Sequence, residues 1–211
     1  MKILIIRHGQ STGNVEARFT GQIDVSLTQL GETQGKLLCE YLIDNYTIDT
    51  VYTSQLTRAK NTVKDLVENL NLTPTCDKRI NELYLGKWEG RLISELKATC
   101  PEDLERWSKE PRTFHCPDGE SFENLYDRAV DFLLDLVKTD AKTVCVCAHG
   151  GVLRSILCYL KYGNVDEVSK VEWGTNASIT EIEYENGKFN IIKEFFDDYL
   201  SQLKSGYVDA P

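Results

Sequence analysis

An arginine, a histidine and a glycine stand where the first apolar run of the chain ends, in ILIIRHGQSTGN (residues 3–14). His149-Gly150 ends a second apolar run in the same way, so two of the three histidines occupy equivalent positions. A neutral imidazole can act as a nucleophile, and a guanidinium can hold phosphate oxygens through several hydrogen bonds. Arg7, His8 and the second histidine therefore have the chemistry of phosphoryl transfer, and the glycine after each histidine lets the backbone turn tightly.

A further candidate, Arg58, opens a predicted helix in TSQLTRAKNT (residues 53–62). The backbone amides at a helix start and a guanidinium can both point at one anion. Taken singly, a strand-end histidine is more often a hydrogen-bonded structural residue, and a helix-start arginine usually lies on the surface. Two histidines and two arginines at one edge of a sheet favour a functional interpretation.

The elements that must position these residues alternate between strands and helices. Apolar runs and periodicity predict strands at Lys2–Ile6, Thr50–Thr53, Thr73–Cys76 and Thr143–Ala148, and helices at 28–44, 56–70, 102–109, 121–137 and 151–160. Asn186-Gly187 predicts a closing hairpin. The alternation indicates an α/β fold with a largely parallel sheet, in which ligands bind beyond the carboxyl ends of the strands.

Composition bounds the class of protein. The 211 residues carry 41% hydrophobic side chains and a net charge of −9, which predicts one soluble domain (1–211) that binds neither nucleic acid nor membrane. The start, MKILIIRHG, has too short an apolar run for a signal peptide, so we expect a cytoplasmic protein. The seven cysteines have no CxxC spacing, and Cys145 and Cys147 are expected to be small core residues.

Other phosphate chemistries lack their residues. The chain has no GxxxxGK[ST] loop, and neither strand-end histidine has a carboxylate within the four positions before it. For a thiol phosphatase, the nearest cysteine and arginine, Cys147 and Arg154, would put the arginine inside a predicted helix. Histidine is left as the nucleophile, and we predict no metal and no cofactor.

Six segments that follow one another along nearly the whole chain resemble the histidine phosphatase superfamily. They are RHGQSTGN, FTGQIDVSLTQLGETQG, SQLTRAKNT, INELYLGKWEG, PDGES and AHGG. The resemblance implies a three-layer α/β/α sandwich around a mostly parallel sheet, with the C-terminal hairpin and a small cap. It implies that His8 is phosphorylated, that Arg7, Arg58 and His149 hold the phosphoryl group, and that Glu82 donates a proton. Since His8 must be neutral to attack, the two histidines are expected to have opposite protonation states.

The resemblance also implies which residues line the pocket. The expected substrate-binding residues are Asn14, Thr20, Gly21, Tyr84 and Gly150. The segment 83–117 is predicted to be a cap over the pocket. Its Trp88, Trp107 and Phe114 are candidates for leaving-group contacts or for the cap's own core, the latter preferred for the tryptophans, and His115 is a candidate specificity residue. The polar tail from about residue 198 is expected to be frayed.

The family includes mutases and phosphatases, and the sequence favours the phosphatases. Leu83-Tyr84-Leu85-Gly86 replaces the arginine-histidine-tyrosine-glycine of phosphoglycerate mutases, and residues 80–118 contain no adjacent arginine pair. We therefore expect a small phosphorylated metabolite as substrate, with α-ribazole 5′-phosphate and phosphoserine as candidates, and a monomer or homodimer. A cofactor-dependent phosphoglycerate mutase and a non-catalytic binding module on the same fold remain the alternatives.

Overall fold

The fold is described from a computed structural model, which describes residues 1–206. Six strands form one sheet: β1 (Lys2–Arg7), β2 (Thr50–Thr53), β3 (Thr75–Cys76), β4 (Thr143–Ala148), β5 (Ile179–Glu185) and β6 (Lys188–Phe196). Their order in the sheet is β3-β2-β4-β1-β5-β6. Strands β3, β2, β4 and β1 are parallel to one another, β5 is antiparallel to β1, and β6 is antiparallel to β5. The prediction of a largely parallel sheet closed by a hairpin is confirmed.

The turn between β5 and β6 follows from its two residues. Asn186 and Gly187 both have positive φ, 51° and 77°, as a tight two-residue turn with the twist of a hairpin requires. Glycine adopts this conformation without steric cost, and asparagine tolerates it.

Eight α-helices lie within the described residues. They are α1 (Thr12–Val15), α2 (Gln29–Asn45), α3 (Thr57–Thr62), α4 (Lys64–Asn69), α5 (Ile93–Thr99), α6 (Pro101–Lys109), α7 (Phe122–Leu136) and α8 (Gly150–Tyr162). The predicted helices at 28–44, 102–109, 121–137 and 151–160 correspond to α2, α6, α7 and α8. Helix α5 was not predicted, because its segment is short and lacks a clean apolar period.

The single helix predicted at 56–70 is wrong, because the chain breaks at Val63 (φ −107°, ψ 13°) into α3 and α4. At the break, the Thr62 hydroxyl donates to the carbonyl of Arg58 at 2.7 Å and accepts from the Gly9 amide at 2.8 Å. A hydroxyl bonded back to the carbonyl four residues earlier competes with the helical pattern and bends helices. The break thus ties α3 to the loop after β1.

The central strands are buried on both faces, which gives the predicted three layers. On β1, Ile3 and Ile5 pack in the cluster that contains α7 and α8, while Leu4 and Ile6 pack in the cluster that contains α2 and α4. Cys145 and Cys147 are fully buried in the second cluster, as predicted for small core residues. Within residues 1–206, no helix is long and apolar enough to cross a membrane.

The predicted cap segment consists of α5, α6 and loops, and its aromatic side chains pack on one another. Trp88 is 1% exposed and lies 5.7 Å from both the Phe19 and the Phe114 rings, measured between centroids. Trp107 meets Phe19 edge-on at 5.6 Å and is also buried. The interpretation of Trp88 as a core residue is confirmed; Trp107 packs in the core and also lines the pocket described below, so contact with a leaving group stays a prediction for it.

The C-terminal segment packs on the fold over residues 198–206, so the expectation that it frays from 198 is wrong for this part. Residues Asp198–Leu203 form a short 3-10 helix in which Leu200 is fully buried. The Gln34 amide donates to the Leu203 carbonyl at 2.8 Å and to the Ser205 hydroxyl at 2.9 Å. A buried leucine and hydrogen bonds to a buried glutamine stabilise a segment whose polar composition gives no such signal. The remaining residues, 207–211, lie outside the described part.

Candidate active site

The two strand-end histidines meet because β1 and β4 are neighbouring parallel strands. Arg7 pairs with Ala148 in the register, and the amide of His8 donates to the Ala148 carbonyl at 3.0 Å. His8 and His149 therefore leave adjacent strands side by side, with ring centroids 5.1 Å apart. Arg7 and His149 are fully buried, and His8 is 4% exposed.

The hydrogen bond of the His8 ring fixes which of its two nitrogens carries the hydrogen. Its Nδ1 lies 2.7 Å from the carbonyl oxygen of Gly9, and since a carbonyl can only accept, Nδ1 carries the hydrogen. The lone pair is then on Nε2. Burial, followed by the guanidiniums of Arg58 and Arg7, holds the pKa of His8 well below its ordinary value. The ring is neutral at physiological pH, as a nucleophile must be.

His149 is held by a residue that the sequence did not single out. Its Nε2 lies 2.7 Å from the hydroxyl oxygen of Ser54, which also accepts the Leu56 amide at 3.2 Å. Its Nδ1 is buried and has no hydrogen-bond partner among residues 1–206. The Ser54 hydroxyl can donate to Nε2 or accept from it, and the tautomer of His149 decides which of the two donates.

The pKa values of the two histidines shift in the same direction, so the buried environment alone does not produce the opposite protonation states that were expected. Burial, followed by the guanidinium of Arg58, also holds the pKa of His149 well below its ordinary value. Both rings are thus neutral, because the same buried environment and the same positive charge act on both. This environment is assembled from separate parts of the chain, so the residue types did not reveal it.

Arg58 reaches the site from α3 and fixes the loop at 20–24. Its guanidinium is 1% exposed and donates to the carbonyls of Gly21 at 2.7 Å and Ile23 at 2.9 Å. The carboxylate of Asp24 accepts from the amide of Thr57 at 2.7 Å and from its hydroxyl at 2.5 Å. Asp24 therefore occupies the first amide of the helix, so that amide does not share a second anion with the Arg58 guanidinium.

Glu82 lies buried between two backbone amides. One carboxylate oxygen accepts from Leu83 at 2.9 Å, and the other accepts from Gly151 at 3.3 Å, next to His149. A Cβ on residue 151 would come within 2.4 Å of the Glu82 carboxylate, so only glycine allows this approach. Arg128, also unpredicted, donates to the Glu82 carbonyl at 2.9 Å and fixes the backbone there.

A pocket adjoins these groups through Glu82 and Gly21. Most of its lining is apolar or aromatic, namely Phe19, Leu83, Leu85, Ile93, Trp107, Phe122 and Trp173; the other lining residues are Arg18, Thr20, Gly21, Glu82 and Gly151. Residues of the cap segment form part of this lining. The two histidines are not among the described lining residues, whereas Glu82 and Gly151, the second residue after His149, are.

The expected substrate-binding residues divide into two groups. Thr20 and Gly21 line the pocket. Gly150 is buried at the start of α8 and is not in the pocket lining, while Asn14 uses its side-chain oxygen for the amide of the preceding N-cap residue at 3.0 Å. Tyr84 is 43% exposed and lies outside the pocket lining.

His115 also lies outside the pocket. Its side chain is exposed, and its backbone pairs with Ser121 in an isolated bridge. The specificity role of His115 stays a prediction.

The predicted independence from metal remains a prediction. Within residues 1–206, no three His, Cys, Asp or Glu side chains cluster closely enough to hold a metal ion. The positive charge beside His8 comes from the guanidiniums of Arg7 and Arg58.

Comparison with known proteins gives consistent matches. The model of "Histidine phosphatase superfamily (branch 1)" matches residues 3–196. Phosphoserine phosphatase 1 of Hydrogenobacter thermophilus is 32% identical, covering 100% of this chain and 98% of that protein. A 2,3-bisphosphoglycerate-dependent phosphoglycerate mutase of Gloeobacter violaceus is 32% identical over 81% of this chain and 80% of its own. The solved structure of a mycobacterial glucosyl-3-phosphoglycerate phosphatase with VO3 is 27% identical in sequence and superposes with a TM-score of 0.82. The match covers 90% of this chain and 96% of that chain. With its buried histidine pair and its six-stranded sheet, the chain belongs to the histidine phosphatase superfamily.

Proposed function

We propose that the protein hydrolyses a small phosphomonoester through a phosphohistidine intermediate on His8. The observation that carries the proposal is the state of that ring: its Nδ1 donates to Gly9, which leaves the Nε2 lone pair beside two buried guanidiniums. A neutral nucleophile next to fixed positive charge suits attack on a phosphate dianion, whose charge spreads over the equatorial oxygens during transfer.

The first half-reaction transfers the phosphoryl group to the protein. Nε2 of His8 attacks phosphorus, a new P–N bond forms, and the bond from phosphorus to the ester oxygen breaks. The leaving oxygen takes a proton from the Glu82 carboxyl group, and the alcohol departs into the pocket. Arg7 and Arg58 neutralise the phosphoryl oxygens during this step.

The second half-reaction returns the protein to its starting state. A water molecule attacks the phosphohistidine and gives its proton to the Glu82 carboxylate, and the P–N bond breaks to restore the Nε2 lone pair. Inorganic phosphate then leaves with its charge matched by the arginines. Because a bound dianion favours the protonated form of a nearby imidazole, His149 gains a proton when phosphate binds, against the effect of burial, which lowers its pKa.

Phosphatase activity is favoured over mutase activity by the charge of the pocket. Among the lining residues that the structure describes, Arg18 is the one cation, and its guanidinium donates to Glu16 at 2.5 Å and to the Gly90 carbonyl at 2.7 Å. A mutase must hold a second anionic group of its substrate through both transfers. Water is the acceptor that this pocket suits better.

The test is a panel of phosphomonoesters that includes α-ribazole 5′-phosphate, phosphoserine and 3-phosphoglycerate, compared by kcat/KM for phosphate release. We expect stoichiometric inorganic phosphate and alcohol from at least one ester, without added metal. Transfer of the phosphoryl group back to a phosphoglycerate would support the mutase instead. Lack of turnover of every ester would support the non-catalytic binding module. The cytoplasmic location and the monomer or homodimer belong to the same proposal and rest on the sequence.

A further inference from the structure

One wall of the pocket beside Glu82 comes from outside the cap. Trp173 lies in the segment after α8, and the side chain of Arg154, in that helix, contacts this segment. The guanidinium of Arg154 is 8% exposed, donates to the carbonyls of Val171 at 2.9 Å and Val168 at 2.8 Å, and lies 4.1 Å from the centroid of the Trp173 ring. The indole is therefore fixed by a buried cation as well as by the backbone.

The other end of the same segment is attached to the phosphate-binding groups. The carbonyl of Gly174, the residue after Trp173, accepts a hydrogen bond from Arg7. A Cβ on residue 174 would lie 2.1 Å from the ring of Phe195, so the backbone there is tightly packed. Trp173 is therefore joined through Gly174 to Arg7, the arginine proposed to bind the phosphoryl group, and it also lines the pocket.

Other residues that line the pocket are aromatic too. Phe19 and Trp107 line the pocket edge-on to each other at 5.6 Å, and Trp107 also packs on Phe122 at 6.4 Å. Packed rings of this kind hold their positions and present carbon surface to the ligand. An apolar group that enters between them gains the free energy of leaving water without any polar group being buried unpaired.

Charged groups on the leaving alcohol have few partners there. Among the described lining residues, the charged side chains are Glu82, which is the proposed acid, and Arg18, which is already bonded to Glu16 and to the Gly90 carbonyl. An alcohol such as serine would have to place a carboxylate and an ammonium group against aromatic carbon. Burial of a charge without a partner is strongly unfavourable.

We propose that this pocket is a subsite for an uncharged alcohol that carries an aromatic ring, with Trp173 as its specificity residue. The proposal rests on the proposed phosphatase function for its physiological meaning, but the subsite itself is testable by binding. It predicts a substrate preference that differs from the one in the name of phosphoserine phosphatase 1.

The test compares two phosphonates in which CH2 replaces the ester oxygen, so neither is hydrolysed. One, 3-phenylpropylphosphonate, matches 2-phenylethyl phosphate; the other, L-2-amino-4-phosphonobutyrate, matches phosphoserine. We expect calorimetry to give a Kd at least about tenfold lower for the phenyl compound, since a single methylene in an apolar pocket is worth roughly 10- to 200-fold. Equal or tighter binding of the amino acid phosphonate overturns the proposal.

Variants locate the preference at the pocket wall. Trp173→Ala, with Trp173→Leu as a second variant that keeps more of the packing, should lose most of the preference while still binding inorganic phosphate. Tyr162→Ala removes an exposed aromatic side chain of α8 outside the pocket lining and should keep the preference in full. An unchanged preference in both Trp173 variants refutes the assigned role. Kinetics with the parent esters separate the two proposals: a preference in binding without turnover of any ester refutes the phosphatase function and leaves the subsite intact.

Discussion

Replacement of Glu82 by glutamine should slow the reaction according to how poor the leaving group is. An alkyl alkoxide needs a proton as its bond to phosphorus breaks, whereas a nitrophenolate hardly does. General acid catalysis is typically worth about 10²- to 10⁴-fold. We therefore expect Glu82→Gln to slow phosphorylation by an alkyl phosphate by this factor and by p-nitrophenyl phosphate far less.

The contacts of Glu82 set the cost of the substitution to the fold. Its two carboxylate oxygens accept from Leu83 at 2.9 Å and from Gly151 at 3.3 Å. Glutamine retains one acceptor, so it keeps the shorter bond and loses the longer one. Loss of one such bond costs about 1 kcal/mol, so the variant should remain folded and its rates should be interpretable.

The assay is single-turnover phosphorylation by both esters, followed by rapid quench, for the wild type and two variants. Glu89→Gln is the matched control: Glu89 also accepts from two backbone amides, those of Gln22 at 2.7 Å and Leu85 at 3.3 Å, but lies outside the pocket lining. Its substitution should affect both esters alike. Equal losses on the two esters in Glu82→Gln would refute the role of Glu82 as the acid and leave it a residue that orients the backbone.

Two further predictions concern the histidine pair. Ser54→Ala removes the hydroxyl that lies beside the Nε2 of His149. It should lower kcat by about 5- to 150-fold, the rate equivalent of about 1–3 kcal/mol for an unpaired buried group, and Ser54→Thr should recover part of the loss. An unchanged kcat and pH profile would contradict the role of Ser54. Burial lowers the pKa values of His8 and His149, so below about pH 6.5 the unfolded chain binds more protons than the folded one. As the pH is lowered through this range, the free energy of unfolding should therefore decrease, by up to about 1.4 kcal/mol per pH unit for each histidine. Urea unfolding between pH 7.5 and 5.5 should show a shallower loss in His149→Gln than in the wild type, and equal slopes would contradict the assigned neutrality.

The sequence predicted the elements whose signals are local. The strands Thr50–Thr53 and Thr143–Ala148 have the predicted ends, since apolar runs bounded by polar residues mark buried strands. The hairpin was predicted because Asn186-Gly187 specifies its turn. The break at Val63 was missed because it depends on hydrogen bonds of Thr62 to the Gly9 amide and the Arg58 carbonyl, which tertiary contacts decide.

The same distinction separates the parts of the site. Strand order brings His8 beside His149 and could be anticipated, because both residues end parallel strands. Ser54 and Arg128 were missed because their roles depend on partners far away in the sequence. Gly151 had one signal, a second consecutive glycine at a helix start, although its close approach to a carboxylate needs coordinates.

The most direct test of the central claim is the chemical identity of the phosphorylated atom. Reaction with labelled substrate and rapid quench should yield an acid-labile, base-stable phosphoenzyme. Its phosphorus should lie on Nε2 of His8, because Nδ1 is occupied by its bond to the Gly9 carbonyl. Phosphorus NMR of the phosphoenzyme and mass spectrometry of its peptides, with His8→Ala as control, give the position. Phosphorus on Nδ1 or on another residue, or near-normal turnover by His8→Ala, would contradict the mechanism.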